Sequence, residues 1–294
     1  MMEVLICKTA GLCAGAQRAY DMVINALENN NRVYVYKEIL HNEVLIDDLK
    51  NRGAVFINNL NQIIGNSKVI LRAHGEECAI YEYLYKNKID YEDAICVSVK
   101  RVHEIAKEKQ SLGYKIIVVG KKKNEELHDE VKSLISFLEE PIIISNKGDL
   151  KKLKLNQGGK YFIVAQTTYN VNDFNEIVKL IKINNSDSLI EYSNTICNFP
   201  LVNINESVKL AKDCDIIVVL GSKTSSNTNE LYNSVKDLGF TIFSNDENEI
   251  VLDIRKYILD HKISKENLKI CLLAGASTLK QKLQNLKILI ENIK

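Results

Sequence analysis

The sequence has no stretch that resembles a membrane span and no excess of charge of one sign. None of its apolar runs approaches the ~20 residues that a transmembrane helix needs. The first residues, MMEVLICKTAG, lack the basic region and long apolar core of a signal peptide. The 39 Lys and Arg residues are balanced by 38 Asp and Glu residues. We therefore expect a cytoplasmic protein without membrane or nucleic-acid partners, in which any anion is bound locally.

Proline is also scarce, since Pro141 and Pro200 are the only two, and low-complexity linkers are absent. Domain boundaries must therefore come from internal repetition rather than from breaks in composition. A length of 294 residues suggests two or three small domains. Helical patterns alternate with short β-branched runs, which predicts an α/β fold with parallel sheets covered by helices.

The seven cysteines contain no CxxC pair and are spread along the chain. An odd number of distant thiols in a chain of this size does not indicate a disulfide framework. A structural zinc site is not indicated either, because such sites close with four ligands, usually at short spacings. We expect thiols that are free, buried or bound to metal.

Three of the cysteines begin a repeated unit. Each opens a helix-length stretch and is followed, 28 residues later, by a polar residue on or just after an apolar run. The three pairs are Cys13 with His41, Cys96 with Asn124, and Cys197 with Ser225. Each unit continues with a second apolar run and a third that leads into another polar loop. These loops contain His74 in the first unit, Thr167 and Thr168 in the second, and Ser277 in the third.

The repeat predicts three α/β domains around a common centre, with boundaries at residues 1–96, 97–196 and 197–294. Ligands of open α/β sheets bind beyond the carboxyl ends of the strands. The polar loops at the strand ends should therefore line one site, where the three thiols of the repeat would also meet.

The cysteines divide into two groups by position. Cys7, Cys78, Cys214 and Cys271 have no counterpart in the repeat and are interpreted as small buried residues. Cys13, Cys96 and Cys197 each precede a helix, where the dipole and free amides favour the thiolate that binds metal. Three thiolates suit an iron–sulfur cube with one iron left open, because four thiolates would complete the cluster. The open iron would take substrate.

Several motifs resemble the 4-hydroxy-3-methylbut-2-enyl diphosphate reductase family (IspH/LytB), in order and over nearly the whole chain. They are GLCAGAQRA, KEILHNEVLIDDLKNRGAVF, RAHG, DAIC, AQTTYNVND, TIC, GSKTSSNTN and AGAST. The resemblance implies a trefoil of three pseudo-repeated α/β domains around a [4Fe-4S] cluster held by three cysteines. It also implies reductive removal of the allylic hydroxyl, giving isopentenyl and dimethylallyl diphosphates in non-mevalonate isoprenoid biosynthesis. The implied electron donor is a protein such as a ferredoxin or flavodoxin.

The resemblance implies a role for each matching residue. Cys13, Cys96 and Cys197 become the cluster ligands. Glu126 becomes the proton donor, and Thr167 orders both the substrate hydroxyl and that acid. The implied substrate-binding residues are His41, His74, Asn124, Thr168, Ser225, Ser226, Asn227 and Ser277. Such residues offer the diphosphate charge-assisted and neutral hydrogen bonds.

The chain departs from the family's pattern around Asn124. The family usually has a GHxGHPE segment where this chain has GKKKNEE, so Asn124 replaces a phosphate-binding His while Glu126 is retained. An amide donates only a neutral hydrogen bond, which is about 1 kcal/mol weaker than a charge-assisted one. The stretches after the second and third repeat cysteines also differ. The remaining histidines are interpreted as structural or solvated: His103, His128 and His261.

Two alternatives to the reductase stay open at this point. One is a divergent iron–sulfur paralogue with the same open iron but another substrate, which comparative turnover on phosphorylated and unphosphorylated compounds would identify. The other is a non-catalytic metal-binding or sensing protein, for which an anaerobic preparation would be colourless and iron-free.

Overall fold

The structure is a computed structural model of the chain. It describes residues 2–29, 32–40, 43–65, 67–123, 126–223, 225–264, 266, 268–275 and 278–293. The α/β class expected from the sequence is confirmed, because these residues form three four-stranded parallel sheets with intervening helices.

The strands of the described residues are β1 Glu3–Ile6, β2 Val33–Tyr36, β3 Val55–Ile57, β4 Lys68–Leu71, β5 Tyr91–Asp93, β6 Lys115–Val119, β7 Lys122–Lys123, β8 Glu126–Leu127, β9 Ile142–Ile144, β10 Lys160–Ala165, β11 Leu189–Tyr192, β12 Ile216–Leu220, β13 Phe240–Ser244 and β14 Lys269–Ala274. The helices are α1 Ala14–Asn29, α2 Glu43–Asn51, α3 Cys78–Lys86, α4 Val97–Ser111, α5 Asp129–Ile135, α6 Val171–Asn184, α7 Phe199–Ala211, α8 Ser226–Val235, α9 Glu247–Asp260 and α10 Lys280–Glu291. Short 3-10 turns lie at Leu60–Gln62 and Lys147–Lys152.

The three sheets share one strand order. The first runs β3-β2-β4-β5, the second β9-β6-β10-β11 and the third β13-β12-β14-β1. The strand β1 takes in the third sheet the place that β5 and β11 take in the others, pairing with β14 from Glu3 opposite Lys269 to Ile6 opposite Leu272. In each sheet this last strand leads into one of the three repeat cysteines. Among the described residues, the short antiparallel pair of β7 and β8 has no counterpart in the other two units of the repeat.

The second sheet shows why its apolar runs become strands. Successive residues of β6 point to opposite faces, so Ile116 and Val118 pack with residues of α4 and α5 while Ile117 packs with Phe174 of α6. Such runs of Ile and Val are typical of parallel strands covered on both faces. All four residues named here are fully buried, and each buried side chain of this size contributes about 1.5–3 kcal/mol.

The chain forms two compact units. One contains Met1–Gln17 and Asn198–Lys294 with the third sheet, and the other contains Arg18–Cys197 with the first and second sheets. The boundaries 1–96, 97–196 and 197–294 stay a prediction; β1 is the strand that joins a sheet built otherwise from residues 197–294. Within the described ranges, no helix is both long enough and apolar enough to cross a membrane.

Candidate active site

Each repeat cysteine lies at or next to the start of a helix, as the sequence predicts. Cys13 directly precedes α1, and its Sγ accepts a hydrogen bond from the Ala16 amide at 3.4 Å. Cys96 is the N-cap of α4, and Cys197 lies two residues before α7. All three side chains are half-buried. These positions agree with the helix starts that the sequence predicts after the three repeat cysteines.

Two of these cysteines form backbone hydrogen bonds with polar loops of the unit Arg18–Cys197. The Cys96 amide donates to the carbonyl of Ala73 at 2.9 Å, next to His74. The Cys197 amide donates to the carbonyl of Thr167 at 2.8 Å. These bonds connect each cysteine to a strand-end loop that was predicted to bind substrate.

Among the described residues, no group of three or more His, Cys, Asp or Glu side chains could hold a single metal ion. Cys13 belongs to the unit of Met1–Gln17 and Asn198–Lys294, whereas Cys96 and Cys197 belong to the unit Arg18–Cys197.

Thr167 contacts a buried carboxyl group, and that group is Glu130. The Thr167 amide donates to Glu130 Oε1 at 2.6 Å, and its hydroxyl donates to Oε2 at 2.9 Å. Both residues are buried, with relative exposures of 6% and 4%. Burial raises the pKa of Glu130 from its ordinary value of 4.5 to about 7, while the hydrogen bonds from Thr167 and the charge of Lys121 act in the opposite direction. This carboxyl group is poised to give or take a proton near neutral pH.

Glu126 occupies a different environment. It lies on β8, its side chain is 77% exposed, and its Oε2 is 3.0 Å from Lys132 Nζ. The expected contact of Thr167 with Glu126 is thus replaced by the contact with Glu130. Asn124 lies outside the described residues. Glu126 pairs with Lys123 in the β7–β8 ladder, whereas Glu130 lies in the first turn of α5.

His74 and His128 lie side by side. Their ring centroids are 5.7 Å apart in an edge-to-face arrangement, and both residues are half-buried. His128 is the N-cap of α5, and its Nδ1 accepts a hydrogen bond from the Glu130 amide at 3.2 Å. Because Nδ1 accepts, a neutral His128 carries its proton on Nε2, which can donate to an anion. The sequence predicted a structural or solvated role for His128 and did not predict its ring contact with His74.

The loop after β10 also orders Thr168. Gln166, which is 2% exposed, donates from Nε2 to Thr168 Oγ1 at 2.7 Å and accepts the Lys121 amide at its Oε1 at 2.8 Å. The end of β6 and the end of β10 are thereby joined by a side-chain bridge. Gln166 fixes the Thr168 hydroxyl beside the Thr167 and Glu130 pair.

The unit of Met1–Gln17 and Asn198–Lys294 contains the serine-rich candidates. Ser225 is the N-cap of α8, where its Oγ accepts the Thr228 hydroxyl at 3.0 Å. Thr228 is fully buried against two glycines, since a Cβ at Gly275 would clash with Thr228 Oγ1 and one at Gly221 would lie 3.0 Å from Thr228 Cγ2. Thr228, in the first turn of α8, therefore packs closely against Gly221 after β12 and Gly275 after β14.

Four further residues were predicted from the sequence to bind substrate, and the structure describes Asn227 and the backbone of Ser226. Asn227 is exposed on the first turn of α8. Ser226 begins that helix, and nothing is described of its side chain. His41 and Ser277 lie outside the described residues.

His128 and Glu130 were not among the site residues predicted from the sequence, although their spacing matches a family motif. The segment His128-Asp129-Glu130 repeats the His-x-Glu spacing of the family's GHxGHPE segment, but four residues later than the aligned GKKKNEE. The antiparallel strands β7 and β8 lie between Gly120 and His128.

Comparisons with known proteins agree with the motifs. Residues 4–291 match the family described as LytB protein. A 4-hydroxy-3-methylbut-2-enyl diphosphate reductase of Clostridioides difficile is 30% identical over 296 residues, covering 99% of this chain and 100% of that protein. One from Wolbachia pipientis subsp. Culex pipiens is 32% identical over 235 residues, covering 78% and 75% of the two chains.

Solved structures are similar over the full length. A structure described as (E)-4-hydroxy-3-methyl-but-2-enyl diphosphate reductase, the terminal enzyme of the non-mevalonate pathway, matches with a TM-score of 0.86 at 29% identity and covers 100% of both chains. The E-1-hydroxy-2-methyl-but-2-enyl-4-diphosphate reductase of Plasmodium falciparum matches with a TM-score of 0.71 at 30% identity, covering 99% of this chain and 88% of that one.

Proposed function

Because this chain belongs to the LytB protein family, we propose that it reduces 4-hydroxy-3-methylbut-2-enyl diphosphate to isopentenyl and dimethylallyl diphosphates in non-mevalonate isoprenoid biosynthesis. The observation that carries the proposal is the buried pair of Glu130 and Thr167. Glu130, in the first turn of α5, carries a titratable proton beside Thr167, and the Thr167 carbonyl accepts the amide of the repeat cysteine Cys197. A reductase that removes a hydroxyl group as water requires such a proton.

We assign Cys13, Cys96 and Cys197 to a [4Fe-4S] cluster. When bound, this cluster supplies the reducing electrons to the substrate, and a ferredoxin or flavodoxin is the class of protein that would recharge it. The chain's own contribution is to present three half-buried thiols at or next to helix starts. A cytoplasmic location belongs to the same proposal, since thiolate clusters and free thiols persist in a reducing compartment.

Proton delivery is assigned to Glu130 in place of Glu126. In the net reaction the substrate C–O bond breaks, and two electrons and two protons convert the alcohol into a C–H bond and water. With a pKa of about 7, Glu130 holds its proton in a large fraction of molecules at neutral pH and can donate it to the leaving hydroxyl. The amide and hydroxyl of Thr167 hold both carboxyl oxygens, so the acid has one orientation.

Binding of the diphosphate is assigned to the histidines and serines at the strand ends. His74 and His128 form the pair that the structure describes, and His128 takes the contact that the sequence suggested for Asn124. The set is completed by His41, Thr168, Ser225, Ser226, Asn227 and Ser277. Imidazole and hydroxyl donors suit a diphosphate because it offers many acceptor oxygens.

An anaerobic preparation tests the cluster and the substrate together. We expect brown protein with about four irons and four sulfides per chain, and turnover on the diphosphate. Cys13→Ser, Cys96→Ser and Cys197→Ser should each lose normal iron content, whereas the control Cys214→Ser should retain it. Unchanged iron in the first three variants would refute the ligand assignment. An intact cluster without turnover on the diphosphate would instead indicate another substrate.

A further inference from the structure

Arg72 directly follows β4, is 4% exposed, and is the centre of a network of four charged side chains in which Arg72 and Glu76 are buried. Its Nε forms an ion pair with Glu76 Oε1 at 2.6 Å, and its Nη2 donates to Glu76 Oε2 at 3.3 Å. Its Nη1 donates to Asp129 Oδ2 at 2.6 Å. Lys37 Nζ lies 3.8 Å from Glu76 Oε2. Two cations thus balance two carboxylates, one of which, Glu76, is fully buried.

This network joins the two histidine-bearing segments of the unit Arg18–Cys197. Arg72 lies two residues before His74, and Asp129 directly follows His128. Two further hydrogen bonds support the same contact: Ser133 Oγ donates to the Glu76 carbonyl at 2.9 Å, and the Cys78 amide donates to Ser136 Oγ at 2.9 Å. The loop after β4 is therefore docked along α5.

The first turn of α5 is held from two sides by neighbouring residues. Asp129 contacts Arg72 at the end of the first sheet, and Glu130 contacts Thr167 at the end of the second sheet. An arginine suits this junction because its planar guanidinium can bind two carboxylates in fixed directions, which an ammonium group cannot do. His128 is the N-cap of α5 and directly precedes Asp129, so the Arg72–Asp129 contact lies one residue from His128.

We propose that Arg72, through Asp129, is a positioning residue that keeps the imidazoles of His74 and His128 at the separation needed to bind one diphosphate. The ligand class rests on the proposed function. The positional claim itself rests on the contacts of Arg72 with Glu76 and Asp129 and on the 5.7 Å separation of the two rings.

The test uses the anaerobic holoenzyme in four forms: wild type, Asp129→Asn, Arg72→Lys and the control Asp90→Asn. Asp90 belongs to the same unit, pairs with Lys68 at 3.1 Å and has a 63% exposed side chain, so its loss removes a surface ion pair of little energetic value. Two quantities are measured. One is the rate at which diethyl pyrocarbonate labels each histidine, read by peptide mass spectrometry with exposed His261 as internal reference. The other is the Kd for inorganic diphosphate, by calorimetry.

Asp129→Asn and Arg72→Lys should both change the labelling rates of His74 and His128 relative to His261. They should also weaken diphosphate binding about 10-fold, as when a contact that orients binding residues is lost. Asp90→Asn should change neither quantity. If Arg72→Lys does not fold, Asp129→Asn decides alone.

Unchanged labelling in Asp129→Asn would overturn the proposal, even if its melting temperature falls, because the contact would then be structural only. Changed labelling with an unchanged Kd would also overturn it. If wild-type protein binds no diphosphate while the variants alter the labelling, the proposed function fails and the positioning of the two imidazoles stands.

Discussion

Replacement of Glu130 by Gln is the most direct test of whether Glu130, and not Glu126, donates the proton. The glutamine keeps the side-chain length and an acceptor for the Thr167 amide, which Glu130 Oε1 accepts at 2.6 Å. The Thr167 hydroxyl can rotate to accept the new amide donor. Substrate binding should therefore change little. Removal of a general acid typically costs about 10²–10⁴ in rate, so we expect kcat to fall by that factor with KM nearly constant.

Glu126→Gln is the matched control. The Glu126 side chain is 77% exposed, and its ion pair with Lys132 is of the surface type that contributes about 0–1 kcal/mol. We expect wild-type kcat and KM for this variant. The assay is anaerobic turnover of 4-hydroxy-3-methylbut-2-enyl diphosphate with a chemical reductant, which avoids dependence on a particular donor protein. Near-normal kcat in Glu130→Gln together with a large loss in Glu126→Gln would refute the assignment.

The same two variants can also be compared by the pH dependence of their unfolding free energy. The pKa of Glu130 is raised from 4.5 to about 7 in the folded state, so the folded protein holds this proton more tightly than the unfolded chain. Its contribution is fully present below pH 4.5 and is lost as the pH rises through about 7. By linkage this loss corresponds to about 3 kcal/mol of unfolding free energy. Glu130→Gln should remove this part of the pH dependence in urea unfolding between pH 5 and 8, whereas Glu126→Gln should retain it.

Two further predictions concern neighbouring contacts. Thr167→Val removes a hydroxyl hydrogen bond that lowers the pKa of Glu130, so the pH at which kcat declines on the basic side should move upward, and an unmoved profile would contradict the contact. Gly75→Ala should destabilise by about 1–3 kcal/mol in urea unfolding, because Gly75 has a φ of +78° and its Cβ would lie 2.7 Å from Ser133 Oγ. The control Gly113→Ala, with a φ of +83° and open space around it, should cost less, and equal losses would exclude a role for the close approach.

Much of the architecture follows from local patterns in the sequence. The recurring apolar runs become the central strands of three sheets with one strand order, because Ile and Val runs bury both faces of a parallel strand. The three repeat cysteines precede helices as predicted. Each lies between a strand and the next helix, namely between β1 and α1, β5 and α4, or β11 and α7. The family motifs were sufficient to indicate the reductase, and the comparisons agree.

The position of β1 and the identity of the buried acid depended on tertiary structure. The sequence by itself determined the α/β class, the repeated strand and helix pattern, and the position of Cys13, Cys96 and Cys197 before helices, since these depend on local periodicity and on residue type. It could not assign β1 to the third sheet, because that pairing joins Glu3 to Lys269 across most of the chain. The family motif led to Glu126, and Glu130 in the same polar segment was not among the candidates. Only packing distinguishes them: the hairpin of β7 and β8 leaves one in solvent, and α5 buries the other against Thr167, where loss of water raises its pKa.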